Sequence, residues 1–325
     1  MKVVITGGAG FIGARLARTL LDQGELGSPD GGSAKIDRIT VFDIAEPTTL
    51  PKDDRLEIII GEMTDKSVLE RVLADADSVF HFASVVSGGA EADLQLGLAV
   101  NLDGTRTILD ILADSGRKPK LVFASSLAVY GGGSEPVTDA TAPYPKSSYG
   151  VQKLCCEHLI GDYSRRGLID GRSMRFPTIA VRPGKANLAN SSFISNIVRE
   201  PVAGRETVCP VPEDTEICLM SPGRLIAAII GVHNLDAEKL GWPRSLVLPA
   251  VKVTVTQMLD ALEQETNAET RALVSFSPDD NVIPMVKSWP VDILAERAES
   301  LGIHTDVDAL EIVQDYLSEN ARATL

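Results

Sequence analysis

Tyr149 and Lys153 stand four residues apart in a stretch that reads as helix, so their side chains share one face. A free phenol has a pKa of about 10 and is a poor base at neutral pH. A neighbouring ammonium lowers that value by about 1–3 pH units. The pair therefore suits removal of a proton from an alcohol while a hydride leaves for an acceptor. Ser125 and Ser126 close an apolar run upstream, and Ser126 is the candidate to hydrogen-bond the reacting oxygen. The bland alternative is a Tyr/Lys pair on a helix surface beside an unrelated serine cluster.

A hydride acceptor needs its own cradle. Residues 6–13 read T-G-G-A-G-F-I-G, after a strand-like run and before a helical one. In that context Gly7 permits a tight turn, Gly10 admits a pyrophosphate to the backbone, and Gly13 lets helix and sheet approach. Phe11 and Ile12 open the helix, whose first-turn N–H groups and dipole favour phosphate. Asp43 ends the second apolar run and suits the adenosine ribose. It lies further from the glycines than the roughly 20 residues usual in such units, and the loop at 25–34 accounts for the excess. A carboxylate there repels a 2′-phosphate, so NAD is favoured over NADP. Glu62 and Met63, after the third run, either flank the adenine or form a solvated turn.

These residues need a frame. Apolar runs at 3–6, 39–42, Leu56–Ile60, 78–82 and 121–124 read as strands buried on both faces. Helical patterns at Phe11–Gln23, 66–74, 94–113 and 149–165 lie between them. That alternation predicts an α/β fold with a doubly wound Rossmann-type parallel sheet. Residues 25–34 are rich in Gly, Pro and Ser and read as a flexible surface loop. Past residue 180 prolines punctuate the chain, and helical patterns return at 224–233, Val255–Glu265 and 308–317. The expected division is a cofactor domain at 1–180, with a return segment near 209–250, and a smaller C-terminal substrate lobe formed mostly by 181–325.

The charge balance, 31 basic against 45 acidic residues for a net −14, argues against a general nucleic-acid or anionic-membrane binder. The four cysteines and four histidines show no zinc spacing, so no metal is expected. Cys155 and Cys156 read as packing, and His158 as structural. The strand-like start leaves no room for a signal peptide, and the apolar run at 225–232 is too short to span a bilayer. A cytoplasmic protein with reduced thiols is expected.

Taken together, residues 6–13, His81-Phe82-Ala83, V-N-L-D-G-T at 100–105, S-S-L-A-V-Y-G at 125–131 and Tyr149/Lys153 resemble the extended short-chain dehydrogenases/reductases. The resemblance implies Tyr149 as base, Lys153 as its modulator and holder of the nicotinamide ribose, and Ser126 as the orienting hydroxyl. It places the glycines, Asp43, Ala83, Asn101 and Pro177 toward NAD, Asn101 steadying the central helix. Ser84 and Glu62 depart from the commoner Ala and Asp. Segments 83–93, 175–184, 191–193, 199–201 and 286–290 resemble the D-erythronate dehydrogenase subfamily. That implies NAD-dependent oxidation of the C2 hydroxyl of a four-carbon sugar acid, and a homodimer joined through the 94–113 and 149–165 helices.

A sugar acid needs a cation and several hydroxyl or amide partners. Arg182, Lys185, Asn187, Asn190, Ser191 and Ser192 cluster just past residue 180, and Ser87 follows the fourth apolar run. Arg182 is the first candidate for the carboxylate, with Lys185 close behind; a structural ion pair is the alternative for both. Ser87 and Ser192 are further substrate candidates. Two rival functions share the scaffold: a nucleotide-sugar epimerase and a non-catalytic NAD-binding regulator. Leu127-Ala128 directly after Ser126 speaks against a dehydratase, where an Asp-Glu pair is expected.

Overall fold

The computed structural model describes residues 1–29, 31–133, 135–184 and 191–323. Two compact units emerge. The first comprises Met1–Val129, Pro145–Arg175 and Ile226–Leu246, the second Tyr130–Tyr144, Phe176–Leu225 and Val247–Leu325.

The first unit is built on a seven-stranded sheet. Its strands are β1 (Lys2–Thr6), β2 (Arg38–Asp43), β3 (Leu56–Ile60), β4 (Ser78–His81), β5 (Lys120–Ser126), β6 (Asp170–Phe176) and β7 (Ser245–Val247). They run in the order 7-6-5-4-1-2-3. β1 pairs in parallel with β2 on one side and β4 on the other, so the strand order reverses there. Parallel pairing continues from β2 to β3 and from β4 to β5. This is the doubly wound Rossmann arrangement, and its ligand crevice lies beyond the strand C-termini at the reversal. Val3, Ile5, Ile39, Val79, Phe80, Leu121 and Val122 are buried, as β-branched and aromatic residues covered on both faces should be. The connections include α1 (Phe11–Gln23), α2 (Lys66–Leu73), α3 (Gly104–Asp114) and α4 (Ser148–Arg165).

Three local expectations are corrected. β3 is not buried on both faces: it is the sheet edge, with Ile58 42% and Ile60 50% exposed. The segment 25–34 is not an unstructured loop. Glu25–Gly27 and Ser33–Lys35 pair antiparallel, Gly31 and Gly32 turn at φ +93° and +72°, and Leu26 is buried. The glycines make the hairpin turn that L side chains would strain. The helix expected over 94–113 is interrupted: Leu94–Gly97 leads into a π-helical turn, Leu98–Asp103, before α3. One wide turn leaves the overall apolar period nearly intact, so it does not register in the sequence.

The segment returning to the first unit is Ile226–Leu246, narrower than 209–250. Glu216–Met220 is held in the second unit by pairing with Thr178–Ile179 and Val251–Thr254. That unit also pairs Thr207–Cys209 with Val274–Phe276, and Val137–Thr138 with Ile293–Leu294. Its core joins Ile194, Ile197 and Val198 to Leu259, Leu262, Ile312 and Val313. The helix Val255–Glu265 begins in a reciprocal capping box: Gln257 N donates to Thr254 Oγ1 at 3.1 Å, and Thr254 N to Gln257 Oε1 at 2.8 Å.

Candidate active site

The glycine loop follows β1 at the reversal point. Gly7 has φ +68°, and a Cβ there would lie 2.6 Å from Ala83 N. A Cβ on Gly13 would lie 2.4 Å from Gly7 O. Gly8, which the motif reading left unassigned, is equally constrained, since its Cβ would meet Val41 Cγ1 at 2.7 Å. Gly10 differs. It is exposed, and its Cβ would approach only Gly7 O, at 3.2 Å. Gly10 is also the N-cap of α1 and brings no side chain to the first-turn N–H groups, and the first turn carries no acid. The open side of Gly10 and the helix N-terminus form a cradle suited to a pyrophosphate.

Asp43 reaches back to this loop. Its Oδ2 accepts from Ala9 N at 2.9 Å and its Oδ1 from Ala45 N at 3.2 Å. Each carboxylate oxygen has a second lone pair, so the group retains capacity for ribose hydroxyls. The residues fit NAD on these grounds.

Behind the cradle runs a buried hydrogen-bond chain that joins four of the motifs. Thr105 Oγ1 donates to Asn101 O at 2.6 Å, so it accepts from His81 Nε2 at 2.9 Å. His81 Nδ1 then accepts from Thr6 Oγ1 at 2.6 Å, and Thr6 Oγ1 in turn accepts from Ala83 N at 3.3 Å. Burial drives the His81 pKa down to about 3, with the Lys153 charge adding to the effect, so the ring stays neutral as this chain requires. Asn101, in the π-helical turn, is buried and fully engaged. Its Oδ1 accepts from Val85 N at 2.7 Å and Ser84 Oγ at 3.1 Å. Its Nδ2 donates to Val85 O at 3.0 Å and Gln152 Oε1 at 2.7 Å. Asn101 therefore acts as a strut for residues 84–85, and the hydroxyl of Ser84 has a structural use.

Ser126 ends β5, half-buried, with its Oγ accepting from Ala128 N at 3.1 Å. α4 opens one residue before Tyr149, capped by Ser147, whose Oγ accepts from Gly150 N at 3.1 Å. Gly150 lets α4 lie against the turn after β5: a Cβ would come within 2.4 Å of Ala128 O. Tyr149 is half-buried. Lys153, 2% exposed, places Nζ 4.6 Å from the Phe123 ring centroid and 5.4 Å from that of Tyr149. Among the described residues no carboxylate lies within ion-pair distance of it. Burial lowers its pKa to about 8, against the upward pull of Cys156 and Glu157, so at pH 7 it remains an ammonium.

The other candidates separate. In the first unit, Met63 is buried in the core against Gly104, while Glu62 is exposed and accepts from Thr64 Oγ1 at 3.3 Å. Ser87 is half-buried and begins a short helix, Ser87–Ala92. Pro177, Arg182 and Ser192 belong to the second unit. Arg182 is half-buried and already engaged there: Nε donates to Ile179 O at 3.0 Å and Nη2 to Ser191 Oγ at 3.1 Å. Ser192 opens the helix Ser192–Val202. Lys185, Asn187 and Asn190 lie outside the described residues. Among the described residues no group of three or more His, Cys, Asp or Glu is placed to hold a metal ion. No described helix is long and apolar enough to cross a membrane.

Known proteins resemble the chain over its length. The profile of the NAD dependent epimerase/dehydratase family matches residues 3–216. D-erythronate dehydrogenase of Cupriavidus necator is 44% identical over 321 residues, covering 98% of each chain. D-erythronate dehydrogenase of Haemophilus influenzae is 39% identical over 319 residues, covering 98% of this chain and 99% of that one. The crystal structure of a nucleoside-diphosphate-sugar epimerase from Agrobacterium tumefaciens has a TM-score of 0.92 at 35% identity, covering 99% of this chain and 95% of that one. With its glycine cradle, reversal-point sheet and Tyr149/Lys153 helix, the chain belongs to the NAD-dependent epimerase/dehydratase family, the extended short-chain dehydrogenases/reductases, and is an NAD-dependent enzyme.

Proposed function

We propose that the chain oxidises the C2 hydroxyl of D-erythronate, yielding 2-oxo-D-erythronate. The observation that carries this reading is end-to-end similarity to two relatives named D-erythronate dehydrogenase, at 44% and 39% identity. NAD, when bound, supplies the acceptor for the hydride that leaves the carbinol carbon. Gly7, Gly10 and Gly13, with the first turn of α1, hold its pyrophosphate, and Asp43 holds the adenosine ribose. Ser126 donates to the reacting oxygen and fixes its direction. Tyr149, as phenolate, takes the hydroxyl proton as the C–O bond becomes a carbonyl. The Lys153 ammonium, close to the Tyr149 ring, favours the phenolate and holds the nicotinamide ribose. Arg182 receives the carboxylate, with Ser87 and Ser192 on the remaining oxygens. The enzyme works in the cytoplasm as a homodimer, for which exposed Leu94, Leu96 and Val151 offer apolar surface on the helical segments expected to pair.

NADH absorbance on mixing protein, NAD and a panel of C3–C6 sugar acids tests the reading. Turnover concentrated on D-erythronate supports it, and silence with every acid overturns it. The Agrobacterium relative favours one second reading, a nucleotide-sugar epimerase. Conversion of a UDP-sugar without net NADH would establish that activity and leave the NAD cradle as assigned. Sedimentation at micromolar concentration checks the dimer.

A further inference from the structure

Three segments that carry the proposed catalytic and cofactor groups meet at one buried cluster. Ser125, next to Ser126 on β5, donates its hydroxyl to Glu157 Oε1. Glu157 lies one helical turn beyond Lys153 on α4, on the face shared with Tyr149. Arg175, near the end of β6 and two residues before Pro177, closes on the same carboxylate. Its Nε lies 3.0 Å from Oε1 and 3.1 Å from Oε2, and its Nη2 lies 2.6 Å from Oε2. The side chains of Glu157 and Arg175 are 3% and 10% exposed. Such a pair gives little net stability but is costly to break one-sidedly, so it strongly penalises any sliding of α4 along the sheet.

We propose that Ser125, Glu157 and Arg175 are positioning residues that set the register of α4 against β5 and tune the charge of Lys153. The proposal rests on the reading of Ser126, Tyr149 and Lys153 as catalytic groups. The groups facing Lys153 are few. On α4 they are Tyr149, Cys156 and Glu157; from β4 comes neutral His81; and from β5 comes the Phe123 ring. Arg175 acts from β6 through Glu157. Within this set Glu157 is the one carboxylate, and Arg175 offsets it. Removing the charge of Glu157 takes away the carboxylate that raises the Lys153 titration. Removing Arg175 leaves Glu157 as an uncompensated anion. The two changes push the Lys153 titration in opposite directions, which a merely structural pair would not do.

The test uses the full chain labelled with ¹³C-ε lysine. NMR follows the Lys153 signal through pH 6–11, assigned by its loss in Lys153→Arg. Glu157→Gln moves the midpoint down and Arg175→Met moves it up, each by about one pH unit. This readout needs no substrate, so it separates the proposal from the identity of the acid. Both variants also lose about 100-fold in kcat, with the KM for NAD little changed, because a small misplacement of reacting groups is enough. Ser125→Ala removes one hydrogen bond, leaves the ion pair in place and folds in any event. It lowers kcat about tenfold. Midpoints that stay at the wild-type value, or shift the same way in both variants, overturn the charge-tuning role. An unaltered kcat in Ser125→Ala overturns the positioning role even if the ion-pair variants fail to fold.

Discussion

At the strand starts of the first unit, Arg172 and Arg244 grip the two oxygens of Asp170. On α4, Lys153 is as deeply buried, with the Phe123 and Tyr149 rings beside it and no salt-bridge partner among the described residues. Arg172 is 0% exposed, and its Nη1 donates to Val232 O and to His233 O at 2.6 Å. Lys120 adds a second cation to those helix-end carbonyls, reaching His233 O at 3.2 Å. The carbonyls are the negative end of the helix Pro222–Asn234, so the cations that reach them dock the returning segment. Each region also holds one buried neutral histidine, with burial lowering each pKa to about 3. His81 donates from Nε2. His233 donates from Nδ1 to Asn234 Oδ1 at 3.0 Å and accepts on Nε2 from Ser78 at 2.9 Å. β4 carries one contact at each end, Ser78 and His81. Buried cations at the strand starts each meet a carboxylate or a helix-end carbonyl, which holds the fold. The ammonium beside Tyr149 has no ion-pair partner among the described residues, at a cost to the fold.

Four measurements would break or sharpen this contrast. The largest effect is expected for Tyr149→Phe, which removes the proposed base and should lower turnover by about 100-fold or more while NAD still binds. NADH absorbance and a fluorescence titration read the two properties, and turnover at the wild-type rate would dismiss Tyr149 as base. Next is Arg172→Met, which removes one of the two arginines on Asp170 and the guanidinium donor to two helix-end carbonyls, and should destabilise by about 3–5 kcal/mol in urea unfolding. A loss under about 1 kcal/mol would mean the cluster does not hold the fold.

The NAD cradle gives the third. Gly10→Ala should weaken NAD binding about tenfold yet change unfolding by less than about 0.5 kcal/mol, whereas Gly13→Ala should destabilise the chain outright. Asp43→Ala should narrow the preference for NAD over NADP about tenfold. An unchanged cofactor ratio would remove Asp43 from the ribose.

The smallest effect has the most telling sign. Lys153→Met should stabilise the apoprotein. The folded state holds this lysine at about 8 against 10.5 for a free one, so the unfolded chain binds more protons between those values. Wild-type stability therefore rises as pH climbs from 8 to 10.5, and the penalty is present in full below pH 8. That penalty is about 3 kcal/mol, partly offset by the ring contacts, so a net gain of about 1–2 kcal/mol is expected at pH 7. The gain should fade toward pH 10.5 in thermal melts. A loss of stability at pH 7 would show that Lys153 is already compensated.

Much of this was legible before the fold was known. The glycine loop announced itself because three of its glycines meet a local turn and helix start. Gly8 carries no positive φ and escaped notice, since its constraint is Val41 on the neighbouring strand. β3 read as buried because its apolar content matches the others, and only its place at the edge exposes it. α4 was found from its Tyr/Lys spacing, although Gln152, Lys153 and Glu157 occupy its buried face. Asn101 was expected to steady the central helix near the cofactor, and its amide is fully engaged with residues 84–85 and Gln152. Glu157 and Arg175 carried no signal, because a salt bridge between distant residues has no period.

By itself the sequence determined what depends on neighbours along the chain: strand and helix alternation, the turn at Gly7, the cap at Ser147, and the shared face of Tyr149 and Lys153. These follow from backbone sterics and the 3.6-residue period, which act over a few residues. Only the tertiary structure decided that Thr6, His81, Thr105 and Asn101 form one chain, that Ser125 and Arg175 meet on Glu157, and that Lys153 is buried without a salt-bridge partner among the described residues. Hydrogen bonding and desolvation act through space, and strand order, which local patterns do not encode, settles which distant residues come together.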